Sequence, residues 1–199
     1  MSSTCRIGLL TPSSNTIMEP RVSQILADTP GTTAHFARFR VVKIAMSDEA
    51  LGQFSFVPQL EAAEHLVDAK CDVIAWGGTS GGWLGADNDA ALVRAITERT
   101  GVPATTSTLA TLDAFRALGV SRYALATPYL DEVQEAIVRN FAALGFTCAA
   151  ERHLGDPGNF SFATYPEERI AGLIHIGTRG DTPPERPRPD IEAKTSCLE

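Results

Sequence analysis

The chain switches repeatedly between two hydrophobic periods, and each switch marks an element. Short, nearly continuous apolar runs occur at 5–10 (CRIGLL) and 71–78 (CDVIAWGG), each ending against a glycine- or turn-rich stretch. Such runs predict strands buried on both faces. Further strands are predicted at 33–42 (TAHFARFRVV), 102–107 (VPATTS), 122–127 (RYALAT) and 146–155 (FTCAAERHLG). Between them, apolar residues recur at helical spacing in 57–70 (VPQLEAAEHLVDAK), 88–101 (NDAALVRAITERTG), 109–120 (LATLDAFRALGV) and 129–145 (YLDEVQEAIVRNFAALG). Residues 17–28 (IMEPRVSQILAD) also read as a helix, provided that Pro20 falls in its first turn.

Strands alternating with helices of this length build βαβ units and parallel sheets. The fold class is therefore α/β. In such sheets ligands sit beyond the carboxyl ends of the strands. That directs attention to four loops, 11–15 (TPSSN), 77–82 (GGTSGG), 127–129 (TPY) and 155–160 (GDPGNF). After 168–177 (ERIAGLIHIG) the pattern stops, and 178–199 is an irregular, proline-rich tail. A parallel lobe is expected to continue with another strand and helix, so the second lobe is expected to be truncated. The expected organisation is an N-terminal lobe at 1–105, a C-terminal lobe at 106–177 and the tail.

Composition narrows the partners. The 199 residues are 44% hydrophobic and 21% charged, with a formal net charge of -7. A nucleic-acid partner is excluded, because phosphate binding needs clustered Lys and Arg. The basic residues Arg186 and Arg188 lie among prolines and read as a solvated segment. No apolar run approaches the roughly 18 residues of a membrane span, and no secretory signal opens the chain. Cys5, Cys71, Cys148 and Cys197 are too widely spaced for a disulfide framework or a zinc site, which makes a cytoplasmic location the expectation. His35, His65, His153 and His175 share no metal-ligand spacing and read as surface or structural residues.

The glycine loop can be read in three ways. Gly78-Thr79-Ser80-Gly81-Gly82 fits the letters G-x-S-x-G, which would make Ser80 a nucleophile, but no oxyanion segment accompanies it. A dinucleotide or phosphate loop fails, because neither G-x-G-x-x-G nor Gly-Lys-Ser/Thr is present. The third reading is an anion cradle, in which backbone N–H groups and the Thr79 and Ser80 hydroxyls converge on a carboxylate or enolate. Its bland rival is a tight turn whose hydroxyls cap the next helix. The other loops favour the cradle. Pro12, Ser13, Ser14 and Asn15 follow the first strand, Thr127 and Tyr129 follow another, and Asn159 lies in the fourth loop. Neutral donors at four strand ends suit a small anion.

Residues 7–20 (IGLLTPSSNTIMEP) resemble the N-terminal signature of maleate cis–trans isomerases, and 78–137 is similar to the central region of arylmalonate decarboxylases. Over roughly 5–173 the chain thus resembles that branch of the Asp/Glu racemase superfamily. The resemblance implies two similar α/β lobes with the active site between them, and no metal or organic cofactor. It implies an enzyme, either a carbon–carbon lyase (decarboxylase) or an isomerase, acting on a small dicarboxylate. Self-association into a homo-oligomer is compatible with it. In the isomerases a first-lobe cysteine is the nucleophile; here Gly78 occupies that position.

The decarboxylases carry Gly-Thr-Ser there too. By resemblance, Thr79, Ser80 and Tyr129 would form a dioxyanion hole around one carboxylate of a substituted malonate, and a second-lobe cysteine would protonate the enediolate. Cys197 is the candidate for that proton donor, and Cys5, Cys71 and Cys148 are expected to pack as small buried groups. Asn15 and Asn159 resemble the isomerases' carboxylate-binding asparagines, and Pro12, Ser13, Gly78 and Thr127 complete the expected substrate-binding set. The expected function is a cofactor-independent decarboxylase. Its alternatives are an isomerase-like protein lacking the first-lobe nucleophile and a non-catalytic carboxylate-binding protein.

Overall fold

The structure is a computed structural model that describes residues 5–179. Cys197 and most of the proline-rich tail lie outside the described residues. The fold is α/β, with parallel sheets flanked by helices.

Strand β1 (Cys5–Pro12) is central to the first sheet. It pairs in parallel with β2 (Thr32–Phe39) on one side and β3 (Val73–Trp76) on the other, and β4 (Ala104–Thr106) adds beyond β3. The order is β2-β1-β3-β4. The second sheet pairs β5 (Arg122–Thr127) with β6 (Thr147–His153), again in parallel. Its unit β5–α7–β6 repeats the strand–helix–strand plan of β1–α1–β2, where α1 is Met18–Leu26 and α7 is Asp131–Ala143. Helices α3 (Phe56–Asp68) and α5 (Ala86–Thr100) complete the crossovers of the first sheet, α6 (Ser107–Ala117) leads from β4 to β5 in the second, and α8 (Glu167–Arg179) packs on β5 and β6.

The core follows the apolar pattern. Leu10, Ile74, Trp76, Leu92, Ile96 and Leu112 are all at most 1% exposed and join the sheet to its helices. Phe115, Tyr123, Phe141 and Phe146 form a second knot of edge-on and tilted rings around β5 and α7. Pro20 is the third residue of α1, within the first turn as expected, where its missing N–H costs nothing.

Three short helical segments carry no periodic signal in the sequence: α2 (Asp48–Gly52), α4 (Gly81–Leu84) and a 3₁₀ turn at Ser161–Thr164. Two expectations need correction. The second strand ends at Phe39 rather than at 42, because the Val41 and Val42 carbonyls accept bonds from Ser14 and Asn159 instead of from a neighbouring strand. Cys5 is exposed at the start of β1, whereas Cys71 is buried and Cys148 partly so.

Candidate active site

Because both sheets are parallel, the loops after β1, β3, β5 and β6 all emerge at strand carboxyl ends. They are joined into a ring by hydrogen bonds. Gly77 N–H donates to Leu10 C=O (3.1 Å), tying the β3 loop to β1. The β3 and β5 loops meet where Thr79 Oγ1 and the Tyr129 hydroxyl lie 2.6 Å apart. Gly155 and Asp156 N–H donate to the Tyr129 and Pro128 carbonyls (3.1 and 2.8 Å), tying the β6 loop to the β5 loop. Asn159 Nδ2 donates to Ser14 Oγ (3.1 Å), returning the ring to β1.

Within this ring the expected residues divide into two groups. Thr79, Thr127 and Tyr129 line one cavity of about 470 Å³, together with Thr108, Phe115 and Ile137. Ser80 sits behind Thr79 at 2% exposure. Its Oγ accepts the indole N–H of Trp76 at 2.9 Å, which leaves its own proton for another acceptor. Among the described residues, the backbone N–H groups of Gly78, Thr79 and Ser80 have no acceptor within the chain.

Tyr129 is packed edge-on against Trp83 and Phe162. Burial pushes its phenol pKa up, although the Thr79 hydroxyl opposes that, so the phenol remains a proton donor at neutral pH.

The second group gathers around Val41. Ser14 Oγ donates to Val41 C=O at 2.6 Å, and Ser13 Oγ accepts from Val41 N–H at 3.2 Å. Asn15 Oδ1 accepts the N–H groups of Ile17 and Met18 (3.0 and 2.9 Å), capping α1. Its Nδ2 has no partner among the described residues. The loop is braced by Arg38, which donates to the Ser13 and Asn15 carbonyls and pairs with Glu19. Asn159 is 5% exposed, and Pro12 closes the turn by accepting Asn15 N–H. Thr127 donates to Gln134 at 2.6 Å while its oxygen accepts Tyr129 N–H at 3.3 Å, so it shapes the β5 loop as well as facing the cavity.

The glycines of the loop serve close packing. Added Cβ atoms would meet Met18 at Gly77, Trp76 at Gly78 and Asp89 at Gly81. None of the three has positive φ.

A second cavity, about 530 Å³, lies between α7 and β6. Asp131, Glu135 and Glu151 line it, which disfavours an anion. His153 there bridges Asp131 and Glu151 (2.6 and 2.9 Å), the structural role expected of it. Among the described residues, no group of three or more His, Cys, Asp or Glu side chains could hold a metal ion.

Trp76, Thr108 and Asp89 are not singled out by sequence reasoning as parts of the site. The only signal for Trp76 was its position at the end of β3, immediately before the glycine loop.

A family model for arylmalonate decarboxylases matches residues 7–186. The chain belongs to the arylmalonate decarboxylase family. It is 39% identical over 100 residues to the arylmalonate decarboxylase of Bordetella bronchiseptica, covering 50% of this chain and 42% of that one. It is 28% identical over 171 residues to a maleate isomerase of Nocardia farcinica, covering 83% and 68%. Among solved structures, the Nocardia farcinica maleate cis–trans isomerase with a covalently bound succinylcysteine intermediate superposes with a TM-score of 0.79 at 26% identity, covering 87% of this chain and 73% of that one. Unliganded arylmalonate decarboxylase superposes with a TM-score of 0.69 at 26% identity, covering 89% and 73%. This arylmalonate decarboxylase family member thus shares its fold with both branches, and no helix among its described residues is long and apolar enough to cross a membrane.

Proposed function

We propose that this chain decarboxylates a small substituted malonate through an enediolate held by Thr79, Ser80 and Tyr129. The observation that carries this reading is the 2.6 Å approach of Thr79 and Tyr129 across the two sheets, where both line a cavity with largely apolar walls. In the reaction, the bond from the central carbon to one carboxylate breaks and that group leaves as CO2. The electron pair passes into the retained carboxylate, making an enediolate. Hydroxyl and N–H donors fixed in advance stabilise the charge as it develops, worth about 3–4 kcal/mol for each well-placed donor. Apolar walls favour neutral CO2 over the departing carboxylate. A proton must then be delivered to carbon, and Cys197 is the proposed source. Asn15 and Asn159 are proposed to orient the other end of the substrate.

The maleate isomerases among the relatives motivate a second reading, a protein of isomerase type. The Trp76 ring weighs against it, because it occupies the space that a side chain at Gly78 would need. The test is incubation with a panel of substituted malonates and maleate, following CO2 and product by NMR. CO2 release that falls at least 100-fold in Thr79→Ala with Ser80→Ala supports the proposal. Release that survives the double substitution refutes the assigned donors, and binding without turnover points to a carboxylate-binding protein.

A further inference from the structure

Asp89 lies in the first turn of α5 and is 0% exposed. Neither of its carboxyl oxygens makes a hydrogen bond among the described residues. The carboxyl group fills the space beside Gly81, so that an added Cβ would overlap it. Gly81 directly follows Ser80, which puts this acid immediately behind the cradle. Thr106 and Thr108, 0% and 4% exposed, lie close to the carboxyl, and Thr108 also lines the cavity with Thr79 and Tyr129.

Burial raises the pKa of this carboxyl. Thr106, Thr108 and Asn88 are near enough to oppose the rise, but none reaches good hydrogen-bonding geometry, and no charged group is among the causes. The neighbouring elements explain that. Helix α4 (GGWL), strand β4 (ATT) and the first turn of α6 carry no titratable side chain. On α3, Glu61 and Glu64 act on Arg99, about 15 Å along α5 from Asp89. Asp87 and Arg94 are the nearest charged residues in sequence on α5 itself.

We propose that Asp89 is a carboxylic acid held neutral behind the Thr79–Ser80–Gly81 turn, and that its neutrality is what admits an anion to the cradle. The inference rests on the anion-cradle reading of the site. An ionised Asp89 would stand directly behind a carboxylate bound at Thr79 and Ser80, with only the Gly81 turn between them. At an effective dielectric of about 20, like charges roughly 7–10 Å apart repel enough to weaken binding on the order of 10- to 100-fold. Asp89 is thus a positioning residue that acts through the turn and leaves bond-making to other groups.

Two measurements on the full chain test this. The first follows the ¹³Cγ resonance of labelled Asp89 through a pH titration, assigned with Asp89→Asn. A carboxyl that stays protonated well above the ordinary range near 4 is expected. Titration in that ordinary range overturns the proposal. The second measures malonate affinity by calorimetry between about pH 5 and 9. Affinity of the parent is expected to fall at least 10-fold as Asp89 ionises, while Asp89→Asn shows no such limb. Identical profiles for the two proteins across a pH range in which the carbon titration shows Asp89 to ionise overturn the proposal. If malonate binds neither protein at any pH, the cradle reading itself falls, and the carboxyl titration still reports separately on Asp89.

Discussion

Replacing Gly78 with cysteine is the obvious way to supply the nucleophile position of an isomerase, and the structure predicts that it fails alone. A Cβ at Gly78 would stand 2.6 Å from Cη2 and 2.7 Å from Cε2 of Trp76. Ordinary carbon contacts begin near ~3.5 Å, so the ring must retreat by about 1 Å. It has little room to do so. Trp76 is 1% exposed, its N–H is bonded to Ser80, and Phe39 packs on it with ring centroids 5.0 Å apart. Overpacking of this kind costs about 1–3 kcal/mol. For a chain of this size that lowers Tm by roughly 2–12 °C. Gly78→Ala should cost nearly as much, because the clash begins at Cβ and owes nothing to the thiol. Trp76→Phe trims the outer indole atoms, so combining it with Gly78→Cys should cost less than the sum of the single changes. Calorimetric melting of the four proteins closes the cycle. A Gly78→Cys protein that melts within about 1 °C of its parent, with no favourable coupling to Trp76→Phe, would refute the reasoning.

Three further outcomes follow from the same packing. Asn159→Ala removes the Asn159–Ser14 link and should destabilise the protein by about 1–2 kcal/mol, seen as a lower Tm; an unchanged melt would show that the ring of loops does not need that bond. Asp89→Asn should gain stability over the parent as pH rises. A raised native pKa means that the folded state holds more protons than the unfolded state, so the parent's advantage is complete below the unfolded value near 4 and is lost as pH rises through the folded one. Urea melts at several pH values that run parallel for the two proteins would contradict this. All three tyrosines, Tyr123, Tyr129 and Tyr165, have phenols pushed up chiefly by burial, that of Tyr165 to about 12. Phenolate absorbance at pH 10 should therefore be nearly absent in native protein, and half-ionised tyrosine at that pH would disprove the packing around them.

The strands and the longer helices were legible because their apolar spacing is long enough to show a period. The four site loops were legible for a related reason, since parallel topology alone fixes the end at which they emerge. What stayed hidden depends on side chains that meet only after folding. Asn15 and Thr127 look like ligand contacts in the sequence, yet each also does local work, capping α1 and shaping the β5 loop. Trp76 reads as one more apolar residue of a buried strand; its grip on Ser80 comes from the turn that brings Ser80 back over the ring. Asp89 reads as an ordinary acid at the start of a helix, where carboxylates are favoured by the dipole. Only the fold shows that it is sealed from water and packed against Gly81.

The proposed donors carry no formal charge, and this has a kinetic consequence. Thr79, Ser80 and Tyr129 act only at contact range, and Arg38, which braces the neighbouring loop, is neutralised by Glu19. The chain as a whole carries -7. A dianion approaching from bulk water therefore meets a repulsive far field before it reaches an attractive near one. Added salt screens the first over about 10 Å and barely touches the second. Capture of a dicarboxylate should thus quicken with ionic strength while its escape rate stays nearly constant, the opposite of the salt response of sites built on lysine and arginine.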